Sequence, residues 1–166
     1  MDVVELPRRL TEEERDELFA GEDDPFEMAA LTMPPDRRKD RYIVVRDHGR
    51  LIAAVGLLVA DVEVGSAAFP VVGFGGVIVS HTHRGRGVFR RAMEPALATA
   101  ERLGPDFAVL FCLRKNAPLY ARLGFATIDA PVTAAGVAMP IDSMWRPLEP
   151  HAQWPAGPVT VPGPMF

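Results

Sequence analysis

Val77-Ile78-Val79-Ser80-His81-Thr82-His83-Arg84-Gly85-Arg86-Gly87-Val88 is the stretch whose reading decides the fold. An apolar run of strand character enters a turn with two glycines, and helical periodicity begins at once at Val88. Such a turn points successive backbone N–H groups into one concavity, and the positive end of the following helix reinforces it. Glycine suits Gly85 and Gly87 because a side chain would keep a phosphate away from the backbone. Arg84, Arg86, Arg90 and Arg91 add charge that can face a pyrophosphate or a ribose phosphate. The Gly-x-Gly spacing alone also fits a tight strand–helix connection with no ligand. Two other phosphate loops fail on inspection. A nucleoside-triphosphate loop needs Gly-Lys followed by Ser or Thr, which is absent. A dinucleotide fingerprint needs a third small residue where Arg90 stands.

Working outward toward the C-terminus, residues 88–103 have helical periodicity with Met93, Leu97 and Ala100 on one side, ended by Gly104-Pro105. Residues 107–113 form a continuous apolar run, as expected of a strand covered on both faces. Asn116 is placed to cap a short helix running to Leu123 and closed by Gly124. Residues 125–132 and 136–144 read as a last hairpin. In the other direction, residues 69–79, 51–64 and 42–46 are rich in Val, Ile and Leu. Turns at Gly65-Ser66 and Asp47-His48-Gly49-Arg50 make them an antiparallel meander. Thr11 with Glu14 has the spacing of a capping box, with Leu18 and Phe19 on the buried side of that helix. Asp24-Pro25 reads as a second helix start, running to about Thr32 before Pro34-Pro35 stop it. Residues 3–6 are a candidate first strand. The fold class is α/β: a central mixed sheet with helices on both faces.

A second motif follows the first in order: Asn116-Ala117-Pro118-Leu119-Tyr120-Ala121-Arg122-Leu123-Gly124-Phe125. Strand, Arg84-Gly85-Arg86-Gly87 and helix together resemble the acyl-CoA pyrophosphate loop of the GNAT acetyltransferases. The Asn-x-x-x-Tyr-x-x-x-Gly-Phe helix is similar to the one that lies beside the thioester in that superfamily. The resemblance covers about residues 43–141 and is nearest to the aminoglycoside 2′-N-acetyltransferase branch. It implies a GNAT-like acyl-CoA N-acyltransferase fold with acetyl-CoA as co-substrate. It also implies contacts from Val77, Ile78, Val79, Arg84, Gly85, Arg86, Gly87, Val88, Phe89 and Asn116 to that co-substrate. One departure is Phe89, where the family pattern usually places Gly or Ala.

The resemblance implies that the phenol of Tyr120 protonates the departing thiolate. Acyl transfer from a thioester also needs a neutral amine and stabilisation of the tetrahedral oxyanion. The 2′ branch carries a glutamate where this chain aligns Gly75, so the base is open. Glu63 and His81 are the leading candidates, with His83, Asp23, Asp24 and the carboxylate of Phe166 behind them. The implied function is acetyl transfer to a primary amine of a small cationic acceptor, such as an aminosugar. The alternatives are a non-catalytic acyl-CoA-binding regulatory module and acetylation of peptide or protein amines.

Bulk properties bound these readings. A chain of 166 residues is the length of one domain with its own core, here 1–166, with a proline-rich extension at 145–166 packed on it. The hydrophobic and charged shares, 48% and 24%, are those of an ordinary globular protein. The longest apolar stretch, residues 51–60, is far short of the ~20 residues a membrane span needs, and no signal peptide is apparent. A net charge of −4 argues against a nucleic-acid partner and is compatible with a cationic one. Nine carboxylates and one arginine fall between Glu12 and Glu27, read chiefly as a solvated face and otherwise as a negative rim. The single cysteine, Cys112, excludes an internal disulfide, suits a cytoplasmic location and reads as a small core residue. His81-Thr82-His83 lacks a third ligand, so no metal is expected. The apolar tail is a candidate homodimer contact.

Overall fold

A computed structural model describes residues 1–166. The meander forms as its turns dictate. β2 (Arg41–Asp47) and β3 (Arg50–Val64) meet at His48-Gly49, both with positive φ, 48° and 83°. Both positive φ values are what a two-residue hairpin turn requires. β3 and β4 (Ala67–Val79) pair antiparallel along most of their length. β1 (Asp2–Leu6) lies outside β2 at the sheet edge. β5 (Phe107–Cys112) runs parallel to β4 and antiparallel to β9 (Asp142–Pro147).

Helices cover both faces. α1 (Glu12–Phe19) opens with the expected capping box: Thr11 Oγ1 accepts the N–H of Glu14, and the Glu14 carboxylate accepts that of Thr11. It buries Leu18 against Val44, Leu51, Ala54 and Ile78. α2 (Val88–Glu101) buries Ala92, Met93, Ala96, Leu97 and Ala100 on the opposite face, against Ile43, Val45, Leu57 and Phe74. α3 (Ala117–Ala121) closes at Gly124, whose φ of 87° is left-handed.

Three expectations are corrected. Residues 24–32 are a series of turns, not a helix. The Asp24 carboxylate accepts the N–H groups of Met28 and Ala29, and Glu27 has a positive φ of 57°, which breaks helical continuation. Asn116 makes no side-chain cap; it ends a 3-10 turn (Arg114–Asn116) with helical φ and ψ of −93° and −14°, whereas a capping residue takes extended angles. The last hairpin is split. β6 (Ala126–Thr127) pairs with β9, but the intervening chain leaves at Pro131 and returns at Pro140. Between them β7 (Val132–Ala134) and β8 (Val137–Ala138) form a separate small hairpin. Proline has no N–H to give a ladder, which explains both breaks. β7 instead pairs in parallel with β10 (Val159–Val161), which itself pairs antiparallel with the far end of β3.

Candidate active site

The site arises where the central sheet comes apart. β4 and β5 pair only at Val72–Ala108, Gly73–Val109 and Phe74–Leu110, and beyond these residues the two strands diverge. β4 bulges at the same level. The pairing with β3 slips between Ala54–Ile78 and Gly56–Gly75, and Gly76 takes a φ of 57°. A cavity of about 1070 Å³ occupies the gap, lined by β4 from Phe74 to Val79 and by β5 from Leu110 onward. It opens to both faces of the sheet. Tyr120, Phe89 and the loop before α2 line it on the α2 side, and Lys39, Asp36 and Phe166 line it on the other.

The loop before α2 is built for an anion. Gly85 and Gly87 have φ of 74° and 76°, conformations that a Cβ would strain. The backbone N–H groups of residues 85–90 make no hydrogen bond within the protein, while the next one, of Arg91, bonds the Gly87 carbonyl. A run of free donors at the positive end of a fourteen-residue helix, opening on the cavity, fits a phosphate.

The model of the acetyltransferase (GNAT) domain matches residues 8–128. The chain belongs to the GNAT acetyltransferase family. An N-acetyltransferase of Streptomyces avermitilis, itself described as uncharacterized, is 34% identical over 96 residues, covering 52% of this chain and 22% of that protein. This GNAT chain therefore spans only about a fifth of that relative's length. Among solved structures, Escherichia coli YhbS in complex with CoA has a TM-score of 0.63 at 20% identity, covering 98% of this chain and 92% of its own. Escherichia coli ElaA has a TM-score of 0.60 at 22% identity, covering 87% and 98%. At these identities the likeness establishes the GNAT fold. Acetyl-CoA is the co-substrate of this family.

Within the GNAT cavity the residues expected from the sequence divide. Val77, Ile78, Val79, Arg84, Gly85, Gly87, Val88, Phe89, Asn116 and Tyr120 all line it. Arg86 does not; it is exposed on the outside of the loop. Arg84 lines the wall with its guanidinium already engaged, donating to the Val79 carbonyl and to both oxygens of Glu22 at 3.0 and 2.7 Å. The two leading base candidates are not at the cavity. Glu63 is exposed near the far end of β3, paired with Ala68 and Thr160, many residues from the bulge. His81 lies in the turn after β4 with its ring toward Glu22, outside the lining. His83 does line the cavity, with Nδ1 2.8 Å from Thr82 Oγ1.

Tyr120 is 7% exposed, and its hydroxyl has no protein partner. A buried hydroxyl left so would be costly, so the small open fraction at the cavity is where it is accommodated. Burial, and secondarily the nearby Cys112, push its pKa above the ordinary tyrosine value, so the phenol is protonated at neutral pH. Phe89, the departure from the family pattern, packs edge-on against the Tyr120 ring at 5.4 Å, and Phe125 does so at 6.1 Å. Phe89 therefore fixes the ring rather than blocking the loop. Cys112 is buried beside Met144, and its thiol is pushed up to about 12 by burial and then by Asp142, which makes it inert as a nucleophile.

The structure adds Lys39, Asp36 and Phe166, none of which local motifs expose as cavity residues except the last by its terminal carboxylate. The space beside Gly75 is full: a Cβ there would collide with Lys39 Cε and lie 2.5 Å from the carboxyl carbon of Phe166. The bare glycines of β4 are the one sequence signal that something packs on that face.

Proposed function

We propose that this chain, as one unit over residues 1–166, is an N-acetyltransferase that moves an acetyl group from acetyl-CoA to a primary amine of a small molecule. The observation that carries the reading is the run of free N–H groups at residues 85–90 opening on the same gap as the Tyr120 phenol. In this reading the loop holds the pyrophosphate, and Arg90 lies at the same wall. The pantetheine arm follows the main chain of Val77 and Val79 along the unpaired edge of β4 toward the bulge. There the amine nitrogen attacks the acyl carbon, the C–S bond breaks, and Tyr120 protonates the thiolate. One proton of the ammonium replaces that on Tyr120, and another leaves to solvent.

The acidic stretch supports a polycationic acceptor less than its composition suggests. Glu14 is bound to Arg8 and Arg46, Glu22 to Arg84, Glu27 to Lys115, and both Asp24 oxygens to backbone N–H groups. The aminosugar and peptide acceptors therefore stand as arms of the test. Calorimetric titration with CoA should show one site per chain, and acetyl-CoA should release free thiol when a suitable amine is supplied. CoA binding without turnover on any amine would favour the non-catalytic module, and absence of CoA binding would overturn the reading.

A further inference from the structure

On the side of the cavity away from Tyr120 the charged groups are largely spent. Lys39, 5% exposed, threads its stem across the Gly56–Gly75 pair of β3 and β4, where a Cβ on Gly56 would sit 2.6 Å from Lys39 Cγ. Its ammonium donates to Asp36 Oδ1 at 2.6 Å, and the carboxyl group of Phe166 crowds the same Gly75 face. The positive charge is therefore met from two sides. Three side-chain carboxylates line the cavity: Asp24, Glu27 and Asp36. Asp24 accepts backbone N–H groups with both oxygens, and Glu27 pairs with Lys115. Asp36 gives one oxygen to Lys39, keeps 59% of its side chain exposed, and receives no hydrogen bond on the other oxygen. That oxygen can receive one amine. What surrounds it is apolar: Phe26, Met28, Phe111, Ile141, Met165 and Phe166 all line the gap. The rings of Phe111 and Phe166 lie 5.1 Å apart, on the face of the sheet that α2 does not cover.

We propose that the acceptor is a primary monoamine carried on an apolar body, aromatic or aliphatic, with its amine at the free oxygen of Asp36 and its body against Phe111, Met165 and Phe166. The proposal rests on the acetyl-transfer reading of this cavity and names the substrate class of the same site. Apolar surface buried against these side chains supplies the affinity that the spent charges do not. The further ammonium groups of a polyamine or an aminoglycoside would be stripped of water against apolar walls with no acidic partner to meet them. The carboxylate of a free amino acid sits next to its own amine. It would therefore lie beside Asp36 and the carboxyl group of Phe166, where like charge repels it.

The test is thiol release from acetyl-CoA with straight-chain amines from ethylamine to hexylamine. Their basicity is nearly the same, so along the series only the apolar surface changes. kcat/KM should rise along it, by about fourfold for each methylene that is buried. 2-Phenylethylamine should exceed spermidine, kanamycin, L-phenylalanine and a lysine-bearing peptide by about tenfold or more. In the double variant Met28→Gln/Met165→Gln the gain per methylene should shrink, with CoA affinity retained in calorimetry. A rate that does not grow with chain length, a gain unaltered by the double variant, or a preference for spermidine, kanamycin, phenylalanine or the peptide would each overturn the proposal. If the double variant does not fold, the wild-type series decides alone. Calorimetry of hexylamine into CoA-saturated protein separates the two levels of inference. CoA binding with no hexylamine binding sinks the apolar acceptor alone, whereas failure to bind CoA sinks the acetyl-transfer reading beneath it.

Discussion

Single side chains carry two kinds of consequence here. Tyr120→Phe keeps the ring contacts to Phe89 and Phe125 and breaks no hydrogen bond within the protein. Its stability should therefore change by less than about 0.5 kcal/mol, and CoA affinity should be retained. The rate should fall by about 10²-fold, the lower range for a lost general acid. A rate equal to wild type would remove Tyr120 from the chemistry. Because its pKa lies above the ordinary 10.0, any alkaline limb of the rate profile below pH 10 must come from another group. Cys112 gives a signed prediction for the fold itself. Its folded pKa is raised to about 12 from 9.0, so its contribution to stability is complete below the unfolded value and disappears as pH rises through the folded one. Denaturation midpoints should decline across pH 9 to 12, and the thiol should react with a disulfide reagent at pH 8 only after unfolding. Glu14 has the opposite sign. Arg8, through its hydrogen bonds, holds the carboxyl down to about 2 from 4.5, so that contribution is present above 4.5 and lost as pH falls toward 2. Glu14→Ala should cost about 1 kcal/mol in urea denaturation, the usual worth of a cap.

Most elements with local causes are legible in the sequence, and those with distant causes are not. The capping box at Thr11, the turn at Gly49, the strand–loop–helix at residues 77–88 and the left-handed close at Gly124 all follow from neighbours in sequence. The supposed helix after Asp24 failed because the Asp24 carboxylate bonds the backbone across a turn, a local competition that the Asp-Pro pattern does not separate from a cap. The single last hairpin expected over residues 125–144 failed because β7 finds its partner in β10, far along the chain. The site was legible in the same proportion. Its loop and its tyrosine are motif residues, whereas Lys39 reaches the cavity only through glycines on two other strands. Two substitutions test these elements. Gly87→Ala places a Cβ at a φ of 76°, costing about 1 kcal/mol and weakening CoA by about tenfold as the donor run is distorted. Gly75→Ala should destabilise by about 1–3 kcal/mol through overpacking on Lys39 and Phe166, and Gly75→Glu should unfold the site rather than supply a base.

At the scale of the whole molecule, the segment between α1 and β2 is tied across the open sheet by two ion pairs. Glu22 bonds Arg84 on the β4 side, and Glu27 bonds Lys115 beyond β5. Exposed pairs of this kind stabilise by about 0–1 kcal/mol each, so the double variant Glu22→Gln/Glu27→Gln should scarcely move the melting temperature. It should instead speed hydrogen exchange and proteolysis within residues 20–35 and quicken CoA release, and unchanged exchange there would show that the pairs restrain nothing. The C-terminal strand bears on how the protein is made. β10 joins the sheet against β3 and β7, and Phe166, a few residues on, lies over the bare glycines of β4. Contacts of such long sequence separation form late, since the loop they close must be ordered first. Until those residues dock, the folding chain can already hold the meander and α2, with an uncovered apolar floor where Phe166 will lie. For that interval the unfinished fold presents a sticky half-site, and a chaperone would act on this gap in time.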